Sequence, residues 1–361
     1  MNIAFIRGQY LNNFELQSYY PLLKNKSFQI TGFTSKKPIH KVQIPVKQFP
    51  SPVDFPNFPY KLPLLNRVFI DAMILFGMEE NLKGFDIAHT RETYFHFSKQ
   101  AVRAKTRGYI KKVLVTCSET IPFNHETIPG RHKLKQCVIK NADHFHCLTE
   151  KAKKTLIEEG VNPERITVIP YGIDLKMFKP NLITKTQKEL IVLFVGRLEE
   201  QKGIKELLEV WNEIRKHYKA TLKIIGRGPL EKIVRQHGLT PEYIPYSQIP
   251  QTMAEADIFV LPSKPTRFWE EYFGMVLLEA MASGLPIITT DCGAIPEVAG
   301  NAAYLIPHSN SKELYKGLTS LIKKPDWRKR LSEAGLQRVR ENFNSAIQAE
   351  KLYKLYTNLT E

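Results

Sequence analysis

Residues 267–298 read RFWEEYFGMVLLEAMASGLPIITTDCGAIPEV. Polar and aromatic residues come first, with two adjacent carboxylates, Glu270 and Glu271. Gly274 then opens an apolar run, MVLLEAMA, which closes on Ser283-Gly284-Leu285-Pro286. Gly284 lies where a left-handed helix cap belongs, and Pro286 cannot continue the helix. Ile287-Ile288-Thr289-Thr290 comes next as a short strand. The stretch predicts loop, glycine turn, helix and strand: one α/β unit whose helix start can receive a phosphate group.

One residue of that helix is out of place. Glu279 lies among Val276, Leu277, Leu278 and Met281, where a helix packed on a sheet is normally apolar. Its side chain leans back toward the helix N-terminus, and it sits roughly 6 Å along the axis from Met275. An anion held by the Gly274 and Met275 amides would leave Glu279 beside the polar group attached to that anion. A capping carboxylate or a buried ion pair would explain the same residue without any ligand.

Outward from this unit the second half alternates cleanly. Strands are predicted at Leu190–Val195, Thr221–Ile225, Ile258–Leu261 and Ala303–Ile306, and helices at Ile204–Lys216 and Leu230–His237. Helices at Ser311–Ile322, Trp327–Arg340 and Ser345–Tyr356 close the chain. The polar stretch from Pro170-Tyr171-Gly172-Ile173-Asp174 to Glu189 reads as a linker. The first half opens with a strand at Asn2–Ile6, then Arg7-Gly8-Gln9 and a segment of helical look. Residues 40–64, rich in proline, read as loop, and Lys61–Met78 has helical spacing. Core helix is the plainer reading of that segment; its aromatic and basic flank keeps a membrane-surface helix in view. Further strands are predicted at Phe85–His89, Val113–Thr116, 141–149 and Ile166–Ile169, with basic helices between them. The pattern gives two α/β domains with parallel sheets.

Composition agrees and narrows the classes. A chain of 361 residues suits two cores better than one. Hydrophobic content of 43% and charged content of 24% are those of an ordinary globular protein, and no run of about 18 apolar residues exists. The start, MNIAFIRGQYLNNFE, is interrupted too soon for a signal peptide. The four cysteines show no C-x-x-C pair and no zinc spacing, so no metal is expected. Residues 1–180 hold 27 Lys and Arg against 15 Asp and Glu, most of the net charge of +16. A basic first half suits an anionic partner such as nucleic acid, an acidic lipid surface or a phosphorylated substrate.

Three glycine turns come after strands of the second half: Gly196-Arg197 with Lys202-Gly203, Gly226-Arg227-Gly228-Pro229, and Gly274. Arg197 and Lys202 beside a helix start suit a diphosphate, Arg as a planar fork and Lys as a point charge. There is no G-x-x-x-x-G-K-[ST] loop and no G-x-G-x-x-G after the first strand, which disfavours a P-loop NTPase or a Rossmann dehydrogenase.

VLFVGRLEEQKGIKELLEVW, LKIIGRGP, ADIFVLPS and EYFGMVLLEAMASGLPIITTDCGAIPEV resemble the signature run of glycosyltransferase family 4. Glu271 and Glu279 match its E-x7-E motif, and the likeness covers most of residues 141–345. It implies a GT-B fold: two Rossmann-like doubly wound parallel-sheet domains with a cleft between them. Residues 1–170 would form the acceptor-binding domain, with a C-terminal helix at about 345–361 packing back on it, and 171–344 the donor-binding domain. It also implies retaining transfer of a sugar from a nucleotide-diphosphate sugar to a glycan, lipid-linked or other acceptor, as in polysaccharide biosynthesis, with no cofactor or metal required. By motif, Glu271 would orient the sugar hydroxyls and Glu279 the ribose hydroxyls, while Arg197 and Lys202 would neutralise the diphosphate. Phe273, Gly274, Met275 and Val276 would offer backbone amides, Ile244 would lie at the base, and Gly8, Gly196 and Gly226 would line the donor.

The first half departs from the family pattern. Where members often carry a histidine after the fourth strand, this chain has Thr116-Cys117-Ser118-Glu119, with Ser118 in the histidine's place. Glu119, His89 and Arg91 are the candidate replacements, Glu119 for catalysis and His89, Arg91 and Ser118 for the acceptor or sugar. A cytoplasmic protein is expected, with peripheral contact to an anionic inner membrane face left open. An epimerase or phosphorylase of the same fold matches the GRLEEQKG and E-x7-E pairing less well. A nucleic-acid-binding protein lacks its interleaved aromatics, zinc motif or helix-turn-helix here.

Overall fold

The computed structural model describes residues 1–180 and 189–361. Of the linker read from Pro170 to Glu189, residues 181–188 lie outside the described residues. The chain divides into two compact units. Unit 1 is Met1–Gly172 with Ser345–Glu361, and unit 2 is Ile173–Asn344.

Unit 1 carries β1 (Asn2–Ile6), β2 (Gln29–Ser35), β3 (Val46–Phe49), β4 (Ile87–Arg91), β5 (Lys112–Cys117), β6 (His144–Cys147) and β7 (Ile166–Val168). All pair in parallel, in the order β3-β2-β1-β4-β5-β6-β7. Alternation along β1 sends Ala4 and Ile6 to one face and Ile3 and Phe5 to the other. The second face is covered by the C-terminal helix Ser345–Thr360 through Ala349, Leu352, Leu355 and Tyr356.

Three expectations are corrected here. Residues 40–64 are not all loop, because β3 runs through them, and β2 lies in a segment read as helical. β3 is an edge strand with only Phe49 buried, so it writes almost no hydrophobic pattern. β2 is broken in sequence by Gly32, where a Cβ would meet the Leu11 side chain at 2.6 Å. The helix begun at Lys61 stops at Phe69 instead of reaching Met78. Ile70 turns left-handed (φ 66°), and the Arg131 guanidinium holds its carbonyl at 2.7 Å. The apolar run beyond it enters the core as irregular chain, with Ala72, Met73, Leu75 and Met78 all buried. Helical spacing and irregular burial give the same list of apolar residues, and only packing separates them.

Unit 2 carries β8 (Leu190–Val195), β9 (Ala220–Ile225), β10 (Ile258–Leu261), β11 (Ile287–Thr290) and β12 (Tyr304–Ile306), again all parallel, in the order β12-β11-β10-β8-β9. Its strands LIVLFV, IFVL and IITT are near-continuous apolar runs, as a parallel sheet covered on both faces requires. Helix Ile204–His217 buries Ile204, Leu207, Leu208, Trp211 and Ile214 at helical spacing.

In both sheets the chain reverses its direction of winding, between β1 and β4 in unit 1 and between β8 and β10 in unit 2. Crevices open beyond the carboxyl ends of strands at such reversals, which is where ligands bind in doubly wound sheets. Among the described residues no helix is long and apolar enough to cross a membrane.

Candidate functional site

In unit 2 the reversal brings the turn after β8 against the loop after β10. Lys202 sits in that turn and Glu271 in that loop. Lys202 Nζ donates to Glu271 Oε2 at 2.6 Å, with about a tenth of each side chain exposed. Ser263 Oγ donates to the same oxygen at 3.0 Å, and Nζ also lies 4.8 Å from the centre of the Trp269 ring. The loop itself is clamped, since Ala294 N donates to the Glu271 carbonyl at 2.8 Å. A cation and a carboxylate are thus fixed side by side at the crevice mouth.

The helix Met275–Ala282 starts immediately beyond. Gly274 caps it in the left-handed region (φ 77°) and brings no capping side chain to the first turn. Phe273 and Gly274 are buried, whereas Met275 and Val276 are half-buried. Glu279 is 4% exposed, and Tyr246 Oη donates to its Oε1 at 2.6 Å. Burial pushes the Glu279 carboxyl up to about 7, with the Tyr246 hydroxyl opposing the shift. Among the described residues this carboxylate has a donor partner and no ion pair.

The other glycine turns pack on one another. Gly196 N donates to the Ile225 carbonyl at 3.0 Å, and Gly226 N to the Glu242 carbonyl at 2.7 Å. A Cβ at Gly226 would overlap the Gly196 carbonyl oxygen. Arg227 stacks on the Tyr243 ring at 3.8 Å, next to the half-buried Ile244. Arg197 is mostly exposed (62%) and pairs with Glu199 at 2.9 Å, apart from the Lys202–Glu271 contact.

In unit 1 the reversal gathers Arg7 and Gly8 after β1 with Arg91 and Glu92 at the end of β4. Glu15 receives Arg7 Nε at 2.8 Å and lies 3.3 Å from Arg91, and Arg91 also donates to Tyr171 Oη at 2.8 Å and Ser118 Oγ at 3.3 Å. The Glu92 carboxylate accepts from Ser118 N and Oγ at 3.0 and 2.6 Å. Gly8 has φ 56°, with Met73 and Phe97 packed against it. Arg91 is partly open to solvent, with 22% of its side chain exposed.

His89 and Glu119 stand elsewhere than a strand-edge reading suggests. His89 is fully buried, its Nδ1 bonded to Tyr356 Oη and its Nε2 to Thr116 Oγ1, both at 2.6 Å. It ties the C-terminal helix to the sheet, because its position in β4 points it at the face that helix covers. Both carboxylate oxygens of Glu119 are engaged within its own loop, by Thr120 N, Ile121 N, Asn124 Nδ2 and His125 Nε2 at 3.0–3.1 Å. Two residues of that loop, Phe123 and His125, have positive φ, so Glu119 holds a strained turn. Sequence reasoning passed over Tyr246, Ser263, Trp269, Glu15 and Tyr171. Ser263 could have been flagged as a polar residue just past a strand end; Glu15, inside the helix Asn13–Leu16, and the others carry no such signal. Among the described residues no cluster of three or more His, Cys, Asp or Glu could hold a metal ion.

Two parallel doubly wound units, each with polar residues at its reversal, define the GT-B architecture. The structure is similar to sucrose-phosphate synthase from Thermosynechococcus elongatus (TM-score 0.76, 20% identity, 99% of each chain covered). It is also similar to Anabaena HepE solved with UDP (TM-score 0.77, 16% identity, covering 99% of this chain and 100% of that one). The family model described as Glycosyltransferase Family 4 matches residues 23–177, and that described as Glycosyl transferases group 1 matches residues 178–338. The chain belongs to glycosyltransferase family 4. It is 28% identical over 227 residues to the putative teichuronic acid biosynthesis glycosyltransferase TuaC of Bacillus subtilis, 60% of this chain and 55% of that protein. Over 217 residues it is also 28% identical to the MMP alpha-(1->4)-mannosyltransferase of Mycolicibacterium hassiacum, 57% of this chain and 51% of that protein. These alignments span about half the length of the curated relatives.

Proposed function

We propose that this protein is a retaining glycosyltransferase that moves a sugar from a nucleotide-diphosphate sugar to a glycan or lipid-linked acceptor, with unit 2 taking the donor and unit 1 the acceptor. The observation that carries this reading is the Lys202–Glu271 pair at the mouth of the unit 2 crevice, one turn from the Gly274 helix start and the buried Glu279. In such a site the Met275 and Val276 amides meet the phosphates, Lys202 balances their charge, and Glu271 takes sugar hydroxyls. Glu279 with Tyr246 takes the ribose hydroxyls, and Arg227 and Tyr243 flank the base. Arg197, now turned to Glu199, supplies a second cation when the diphosphate arrives. The relatives support a nucleotide-sugar donor and a glycan or lipid acceptor: HepE was solved with UDP, and the phosphatidyl-myo-inositol mannosyltransferase of Mycobacterium leprae is another relative.

As the bond from sugar C1 to the phosphate oxygen breaks, negative charge develops on the leaving diphosphate. Fixed cations and helix-start amides aimed there stabilise the transition state more than the ground state. The acceptor oxygen bonds to C1 on the face the diphosphate leaves, and its proton passes to a departing phosphate oxygen, so the anomeric configuration is retained. Arg91, Ser118 and Glu92 stand at the unit 1 reversal as the groups that meet acceptor or sugar.

Thermal-shift titration with UDP-, GDP- and ADP-sugars, on wild type and on Glu279→Ala and Lys202→Ala, tests the proposal. A donor raises the melting temperature of the state it binds, so one nucleotide series should stabilise wild type and do so much less in both variants. NMR of the product should show the donor's anomeric configuration kept. No stabilisation by any series, or equal stabilisation of the variants, would sink the assignment of the site.

A further inference from the structure

Seventeen large hydrophobic side chains stand out as exposed among the described residues, and six of them crowd into fourteen positions of unit 1. These are Phe55, Phe58, Tyr60, Leu62, Leu64 and Val68, with Tyr60 at 84%, Val68 at 66% and Leu64 at 53% exposure. The helix Lys61–Phe69 explains how they come to face outward. Leu65 is the buried residue of this helix, anchoring it to the core, while Leu64, Arg67 and Val68, at i, i+3 and i+4 spacing, share an exposed strip beside it. A helix that served only the core would have put its apolar residues the other way.

The preceding turn is fixed against this helix. Lys61 Nζ donates to the Val53 and Phe55 carbonyls at 2.7 and 2.6 Å. Asp54 in turn accepts from Lys36 N and Lys37 N at 3.3 and 2.8 Å, which brings an exposed pair of lysines to the edge of the apolar face. Residues 55–70 hold Lys61 and Arg67 and no carboxylate, within a unit carrying 27 Lys and Arg against 16 Asp and Glu. Isolated exposed apolar residues need no explanation; a contiguous group rimmed by cations does.

We propose that this face is a docking surface for an anionic phospholipid bilayer: the aromatic and aliphatic side chains enter the headgroup–acyl boundary while Arg67, Lys36 and Lys37 meet the lipid phosphates. Interfacial helices bind by this combination of apolar burial and attraction to anionic lipid. The face rests on the reading of unit 1 as the acceptor side, and it specifies where a lipid-linked acceptor would be approached.

Vesicle co-sedimentation tests it with the full chain. Wild type should pellet with 7:3 phosphatidylcholine–phosphatidylglycerol vesicles, at least about tenfold less with pure phosphatidylcholine, and progressively less as salt rises. Leu64→Glu with Val68→Glu, and separately Arg67→Glu, should each weaken partition about tenfold while keeping the wild-type melting temperature, since all three side chains are exposed. Failure of wild type to pellet with anionic vesicles, or equal partition onto both compositions, overturns the proposal whatever the variants do. Well-folded variants that pellet like wild type also overturn it. Stabilisation by a nucleotide sugar, read on the same samples, separates the outcomes: donor binding without vesicle binding removes this face and leaves the transferase reading, and vesicle binding without donor binding does the reverse.

Discussion

In the proposed donor site, Glu279 is the residue at which function and stability pull against each other. Its folded carboxyl titrates near 7 against an ordinary value of 4.5, because burial disfavours the charged form. The stability it contributes is therefore present in full below about pH 4.5 and is lost as the pH rises through 7. Glu279→Gln should unfold like wild type below pH 4.5 and become the more stable protein above pH 7, by about 3 kcal/mol at most. Denaturant midpoints across that range check this, and a difference independent of pH would show that the carboxyl is not titrating. The same carboxyl makes donor binding pH-linked in the proposed site. Ribose hydroxyls favour the ionised form, so affinity should rise between pH 6 and 8 with release of a proton, measurable by calorimetry in buffers of different ionisation enthalpy. That Glu279 is unusual was legible in the sequence, since a carboxylate stood in an apolar helix. That Tyr246 restrains it was not, because the two are 33 residues apart.

At the scale of elements, the turns beyond the unit 2 strands carry the site, and their glycines are fixed by contact with other turns. Gly226 is the sharpest case: its φ of 151° and the Gly196 carbonyl leave no room for a Cβ. Gly226→Ala should cost roughly 2–4 kcal/mol, the range for strain at a special backbone conformation combined with overpacking. A urea midpoint shift equivalent to less than about 0.5 kcal/mol, within the range of an ordinary surface change, would show that the two turns relax freely. The glycine at this position could be read from the pattern of strand, glycine and helix. Its neighbour across the sheet could not, because β8 and β9 become neighbours only through their pairing.

For the whole molecule, the C-terminal helix Ser345–Thr360 belongs to the first unit although it comes after the second in sequence. Leu352, Leu355 and Tyr356 are nearly or fully buried beside Ile3 and Phe5. At roughly 1.5–3 kcal/mol for each large apolar side chain, their loss approaches the 5–15 kcal/mol that holds a domain together. Deleting 345–361 should abolish the cooperative transition of unit 1 in a thermal scan and leave a second, donor-responsive transition from unit 2. A single unchanged transition would mean that unit 1 folds without the helix. His89 has its place in this account, since its bond to Tyr356 joins that helix to β4.

By itself the sequence determined the parallel α/β class, the strands of unit 2 within a residue and most of its helices, though not Ile249–Glu255 or Ile295–Ala299, and the Glu271–Glu279 spacing with its glycine start. Parallel strands covered on both faces must be continuously apolar, and glycines at strand ends must mark turns, so both leave local marks. Tertiary structure decided the rest. An edge strand with one buried residue, a strand interrupted at Gly32, and an apolar run that packs without being helical leave no periodic trace. The inward or outward destination of a polar residue at a strand end was likewise settled by its partners. His89 and Glu119 are enclosed by groups 27–267 and 1–6 residues away respectively, while Lys202 and Glu271 meet across 69 residues at the reversal of the sheet. Burial and hydrogen bonding depend on what the folded chain brings alongside, and no local pattern records that.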